Sequence, residues 1–153
     1  MSRKNILNLG AGNDILENAV NLDRVGHRPE IDMVWDLNVF PWPFKNDRFE
    51  IIKAWAVLEH LDCDLIHSMN ECWRILKPGG RCVLKLPYWA HNNSYMDPTH
   101  RWFATLETPT IFDPETDYGK RYEFYTDRKW KIVKGPKFNN AKSSIICHLE
   151  VRK

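Results

Sequence analysis

Gly10-Ala11-Gly12 stands directly after the short apolar run Ile6-Leu7-Asn8-Leu9, and acids close the next two extended runs: Asp23 after Ala19–Leu22 and Asp36 after Ile31–Trp35. Glycines that follow a first strand let a ligand approach the backbone closely, because no Cβ intervenes. A carboxylate at the end of a second strand can accept hydrogen bonds from ribose hydroxyls. One at the end of a third can accept from an adenine amino group. Together the three features describe a pocket for an adenosine. The dinucleotide fingerprint G-x-G-x-x-G is incomplete, since Ile15 occupies its last position and thirteen residues from Gly10 to Asp23 leave little room for a crossover helix. No G-x-x-x-x-G-K-[ST] run exists. An adenosine ligand without phosphates tolerates both absences.

A second group of reactive side chains lies in residues 87–102, where His91, Asp97 and His100 are interleaved with Tyr88, Trp89, Tyr95 and Trp102. Histidines act as bases near neutral pH, and a neighbouring aspartate can orient them. His100 is the preferred catalytic candidate, with Asp97 and His91 beside it. The four aromatic residues can form a wall for a ring or a sugar. His91, Asp97 and His100 fix no coordination geometry, so no metal is expected.

These groups need elements to hold them. Residues 6–9, 19–23, 31–36 and Phe49–Trp55 read as four strands, the last rich in β-branched and aromatic residues. A Pro-rich aromatic loop, Val39–Phe44, precedes the fourth. Leu65, Ile66, Met69, Cys72, Trp73 and Leu76 recur at helical spacing, with Asp62 or Asp64 as N-cap and Lys77-Pro78-Gly79-Gly80 as the stop. Arg81–Pro87 is a fifth strand, and residues 130–134 and 144–151 form a closing antiparallel pair. Strands joined by crossovers, then a hairpin, give a mainly parallel mixed sheet. Short links among the first four strands leave one face thinly covered, which favours self-association.

The bulk properties are those of an ordinary globular chain: 153 residues, 43% hydrophobic and 27% charged. That length suits one domain, here residues 1–153. No apolar run reaches the roughly 20 residues of a membrane span, and Met1–Asn5 carries no leader-like apolar stretch. A cytoplasmic protein with no membrane partner is expected. Cys63, Cys72, Cys82 and Cys147 lack metal-site spacing and read as free thiols. Residues 120–153 hold ten Lys/Arg against three Asp/Glu, a basic stretch able to attract an anionic substrate or nucleic acid.

Leu7–Gly12, Asn21-Leu22-Asp23, Asp36-Leu37-Asn38, Pro41–Phe44, Leu58-Glu59-His60-Leu61 and Arg74–Gly80, in this order and spacing, resemble the class I S-adenosylmethionine-dependent methyltransferases, closest to a short-form (type 11-like) subgroup. The resemblance implies an α/β Rossmann-like domain with a seven-stranded sheet, a C-terminal antiparallel hairpin and reduced helices. It implies that Gly10, Ala11 and Gly12 face the methionine part of the cofactor, that Asp23 holds the ribose, that Asp36 and Leu37 hold the adenine, and that Trp55 lines the floor. Glu59 and His60 are expected to open the following helix. The chain departs from the family's pattern at Asn8 (usually an acid), at the missing third glycine, at Glu50 (usually Asp) and in lacking an N-terminal helix. The expected activity is methyl transfer to a small-molecule acceptor of anionic or sugar-like character. A nucleic-acid or protein acceptor, or a non-catalytic cofactor-binding module, are the alternatives.

Overall fold

The computed structural model describes residues 4–153; Met1–Arg3, within the Met1–Asn5 stretch read above for a leader-like apolar run, lie outside the described residues. Seven strands form one sheet: β1 (Ile6–Leu9), β2 (Ala19–Asp23), β3 (Met33–Val34), β4 (Phe49–Trp55), β5 (Leu76–Pro87), β6 (Trp130–Phe138) and β7 (Ser144–Val151). Their spatial order is β3-β2-β1-β4-β5-β7-β6. The pairs among β1 to β5 are parallel, whereas β7 lies antiparallel between β5 and β6. The strand order therefore reverses at β1 and β4, the place where an open α/β sheet makes its ligand crevice.

Three α-helices accompany the sheet among the described residues: α1 (Leu65–Ile75), α2 (Asn93–Met96) and α3 (Asp117–Arg121). Asp64 caps α1, its side chain accepting from the His67 N–H. Of the expected stripe the helix buries Leu65, Met69 and Cys72, with Ile66 and Trp73 half-buried against the core, and it also buries Ile75. It stops earlier than expected. Leu76 is already extended, and the chain enters β5 there rather than at Arg81. Phe49 pairs with Leu76 but Ile51 pairs with Arg81, so residues 77–80 bulge from the sheet. Gly79 permits this with φ +72°, and a Cβ on Gly80 would lie 2.9 Å from the Lys77 carbonyl oxygen.

Two other boundaries differ. β3 is only two residues long; just before it Asp32 accepts the Asn21 N–H on its carboxylate. β6 runs on to Phe138 past Gly135, whose φ of +81° carries the strand through a register shift. Cys63, Cys72, Cys82 and Cys147 are all free thiols. Among the described residues no helix is long and apolar enough to cross a membrane.

The link between β1 and β2, residues 10–18, contains no helix. It is held instead by side chains beneath it. Asn8 Nδ2 donates to the Asp14 carbonyl (2.7 Å) and to Asn21 Oδ1 (3.0 Å), while Asn21 also takes the Leu16 N–H and donates to the Leu16 carbonyl. Asn8 and Asn21 are both buried. This is the physical reason for Asn at position 8: it faces two acceptors, and only a donor satisfies them.

Candidate cofactor pocket and acceptor loop

The C-terminal ends of β1, β2 and β3 open into a cavity of about 140 Å³ lined by Gly10, Asp23, Asp36, Leu37, Val57 and His60, among others. Gly10 (φ +60°) and Gly12 (φ +52°) turn the chain away from β1 in a conformation that L side chains rarely adopt. A Cβ on Gly10 would lie 2.4 Å from Val57 Cγ2. Asp23 receives the Gly12 N–H at 2.8 Å and the Val25 N–H at 3.1 Å, one on each oxygen. Each oxygen keeps a further lone pair for a ligand hydroxyl. Asp36 Oδ1 receives the Asn38 N–H (2.9 Å), and the guanidinium of Arg24 stands 3.7 Å from Oδ2.

Leu37 is fixed from below. Its carbonyl accepts from the indole of the fully buried Trp42 at 3.0 Å. The Pro-rich loop is in turn fastened to α1, because Glu71 accepts the Trp42 N–H while Arg74 donates to the carbonyls of Trp42 and Phe44. Asn38 Oδ1 takes the Asp62 N–H. The wall of the cavity is thus positioned by a helix more than twenty-five residues further along the chain.

Of the expected cofactor residues, Gly10, Asp23, Asp36 and Leu37 line one cavity. Ala11 is buried beside it and donates its N–H to the Leu22 carbonyl, and Gly12 is tied to Asp23. Trp55 is not among the lining residues. Its ring is exposed, with the Lys53 and Lys85 ammonium groups 4.5 and 5.3 Å from its centre.

The acceptor-side candidates separate. His100 is nearly enclosed, and its Nδ1 lies 2.8 Å from the Ser94 carbonyl. A carbonyl only accepts, so Nδ1 carries the proton and neutral His100 presents a bare Nε2. His91 sits elsewhere in the loop, where its Nδ1 accepts the Asn93 N–H at 3.1 Å at the start of α2. Asp97 binds neither histidine directly. Its Oδ1 takes the N–H and hydroxyl of Thr99, bonds that hold its carboxyl below the usual range. The Thr99 oxygen lies 2.7 Å from His60 Nδ1. With its hydroxyl proton given to Asp97, Thr99 accepts from His60, and Nε2 of His60 is also bare.

The expected aromatic wall does not assemble. Tyr88 packs against Phe138 (centroids 4.7 Å apart), Trp89 and Tyr95 are exposed, and Trp102 faces a cleft with Ile66 and Ile111.

Two residues missed by the sequence reading complete the site. Leu58–His60 forms a separate 3₁₀ turn rather than the start of α1. It places Glu59 in the interior at 1% exposure, with Oε1 4.0 Å from His100 Nε2. The rings of His60 and His100 meet edge to face, 4.7 Å between centroids. Burial pushes the Glu59 carboxyl up to about 7, and burial with the neighbouring His100 holds His60 below the usual histidine range. The signal was an acid and a histidine inside the apolar run Val57–Leu61, ahead of a helix cap that did not need them.

The sheet runs β3-β2-β1-β4-β5-β7-β6 and its crevice opens at the point where the strand order reverses. A family model described as a methyltransferase domain matches residues 8–84, half of the chain. The chain belongs to that methyltransferase-domain family. Among solved structures it is similar to the YcgJ protein of Bacillus subtilis, with TM-score 0.61 and 15% identity over 97% of this chain and 92% of that one. A SAM-dependent methyltransferase from Archaeoglobus fulgidus superposes with TM-score 0.63 at 13% identity, covering 99% and 87%. One from Mesorhizobium loti gives TM-score 0.62 at 12% identity, covering 98% and 93%. No sequence among the curated proteins matches significantly.

S-adenosylmethionine is the cofactor of this class, and the residues present fit it. Bare backbone at Gly10, free lone pairs on Asp23 and Asp36, and apolar sides at Leu37, Val57 and Leu61 suit an adenosine.

Proposed function

We propose that the chain transfers the methyl group of S-adenosylmethionine to a small-molecule acceptor carrying a nucleophilic oxygen or nitrogen. Gly10, Ala11 and Gly12 hold the methionine part, Asp23 the ribose, and Asp36 with Leu37 the adenine. The cofactor supplies an activated methyl on a sulfonium. The protein's part is to hold the acceptor in line and to receive its proton.

The observation that carries the acceptor side is His60, which belongs both to the cofactor cavity and to the cluster with His100 and Glu59. Bare Nε2 atoms on His60 and His100 therefore meet an acceptor at the cofactor's doorstep. The loop is closed over them: Arg101 N–H reaches the Glu59 carbonyl at 2.8 Å, and Trp89 N–H reaches the Ala104 carbonyl at 3.0 Å. Such enclosure supports a small acceptor over a polymer. The exposed lysines 131, 134 and 137 of β6 support the same choice, because β6 is the sheet edge opposite β3 and lies away from the cavity.

Calorimetric titration with S-adenosylmethionine and S-adenosylhomocysteine tests the reading, repeated with Asp23→Ala and Asp36→Ala. Micromolar binding is expected, weakened roughly 10-fold or more by each substitution, as for loss of a hydrogen bond to a charged group. Absence of binding at millimolar ligand overturns it. A methyl-transfer screen with small hydroxyl- and amine-bearing acceptors then separates an active enzyme from a binding module.

A further inference from the structure

Glu59, His60 and His100 offer three ligand atoms that all lie within 4.8 Å of one another. Glu59 Oε2 is buried with no hydrogen-bond partner. His100 Nε2 faces Glu59 Oε1 across 4.0 Å. The outer nitrogens of both imidazoles are occupied, Nδ1 of His100 by the Ser94 carbonyl and Nδ1 of His60 by the Thr99 hydroxyl backed by Asp97. In its neutral form each ring therefore points a bare Nε2 inward. Glu59 Oε2 is thus left without a partner beside two imidazoles, an arrangement that a buried site does not hold without cost.

We infer that Glu59, His60 and His100 bind one divalent transition-metal ion, with zinc the best match to the donor set. Two imidazole nitrogens and one carboxylate form a donor set used for zinc and for non-haem iron, whereas magnesium and calcium prefer oxygen alone. The supports behind the imidazoles are those that fix ligating histidines elsewhere: a carbonyl on one, and a hydroxyl leading to a carboxylate on the other. Tetrahedral ligands about 2.1 Å from an ion stand about 3.4 Å apart, so the three side chains draw inward on binding. Three protein ligands leave a coordination position open. Because His60 also lines the cofactor cavity, an oxygen of the acceptor bound at that position would sit beside the cofactor. The role of His60 and His100 would then be ligation rather than proton acceptance, and a hydroxyl of the acceptor on the ion, its pKa lowered, would give its proton to solvent water. This deepens the acceptor side of the proposed function, yet metal binding is measured without any methyl transfer.

The experiment uses the full chain, stripped with chelator and desalted, titrated with Co²⁺ followed by visible absorption and with Zn²⁺ followed by calorimetry. One ion per chain at micromolar affinity or tighter is expected, with the d–d bands of a low-coordinate nitrogen/oxygen site. Glu59→Gln, His60→Gln and His100→Gln should each weaken binding at least 30-fold, while His67→Gln and His91→Gln leave it unchanged. No stoichiometric ion, or binding that survives all three substitutions or falls equally with His67→Gln or His91→Gln, overturns the inference. Near-ultraviolet circular dichroism checks that each variant is folded. Should Glu59→Gln or His100→Gln fail to fold, His60→Gln decides alone, since His60 is half-exposed and its loss leaves no buried group unpaired. A chain that binds zinc but no S-adenosylhomocysteine sinks the methyl-transfer reading and leaves the metal site standing; the reverse result does the opposite.

Discussion

Asn8 Nδ2 donates to Asn21 Oδ1 across the β1–β2 pair at 3.0 Å, in a region where Asn8 is only 2% exposed. The same amide holds the Asp14 carbonyl. An acid at this position would set a carboxylate against two acceptors. Asn8→Asp is therefore expected to destabilise the chain by about 2–4 kcal/mol, the cost of buried unpaired polar groups and of a buried charge. Urea unfolding at pH 7 measures it. A variant as stable as the parent would mean that the 10–18 link is held by something else.

Gly10→Ala places a methyl 2.4 Å from Val57 Cγ2 in a backbone with φ +60°. The expected result is a loss of about 2 kcal/mol or more, together with loss of S-adenosylhomocysteine binding by calorimetry. Gly79→Ala is the matched control. It has φ +72° but no atom within 4 Å of its added Cβ, so it should cost only about 1–2 kcal/mol and leave ligand binding intact.

The buried thiols predict an alkaline weakness. Burial, with lesser contributions from Cys82 and Asp113, raises the Cys147 thiol to about 12, and the adjacent Cys82 thiol and burial raise Cys72 well above its usual range. A group whose folded pKa is raised favours the fold fully below its unfolded value, about 8.5, and that contribution is lost as pH climbs toward 12. Each such group costs up to about 1.4 kcal/mol per pH unit in that window. Urea midpoints between pH 8 and 10.5 should fall more gently for Cys147→Ala than for the parent, even though the variant starts lower. Parallel curves would refute the assignment.

Asp113 is 4% exposed and joins the segment after the acceptor loop to the hairpin. Its Oδ2 takes the Ile132 N–H (2.8 Å) and its Oδ1 the Glu115 N–H (3.0 Å). Asp113→Ala leaves those donors unpaired and should cost about 2–4 kcal/mol, read as a drop in melting temperature. The cofactor cavity does not include it, so S-adenosylhomocysteine affinity at 15 °C should be unchanged.

The parts of this fold that were legible in its sequence are those set by local pattern. The β-branched and aromatic run of residues 49–55, the apolar run of 144–151 and the helical stripe beginning at Leu65 are each set by neighbours close in the chain. Glycines and acids at strand ends mark the cavity for the same reason, since strand ends are visible locally. The cluster of Glu59, His60 and His100 was not legible, because it joins positions forty residues apart through the Arg101–Glu59 and His60–Thr99 contacts. Nothing in the spacing of His91, Asp97 and His100 showed that His91 would turn its Nδ1 to the Asn93 N–H. β5 was misjudged at its start for a related reason: its first residue, Leu76, pairs with Phe49, and that partner is non-local.

The short link over residues 10–18 also bears on the order in which the sheet comes together. Parallel neighbours are normally joined by a dozen or more residues, whereas β2 begins at Ala19, soon after β1 ends at Leu9. Loop-closure entropy rises with the logarithm of the enclosed length. The β1–β2 pair thus closes at small entropic cost, as does the β6–β7 hairpin, while Cys82 can meet Leu149 only after the long intervening chain has been gathered in. Assembly from two ends, joined last at the β5–β7 seam, is the route this topology favours, and the seam is where a rate-limiting step belongs.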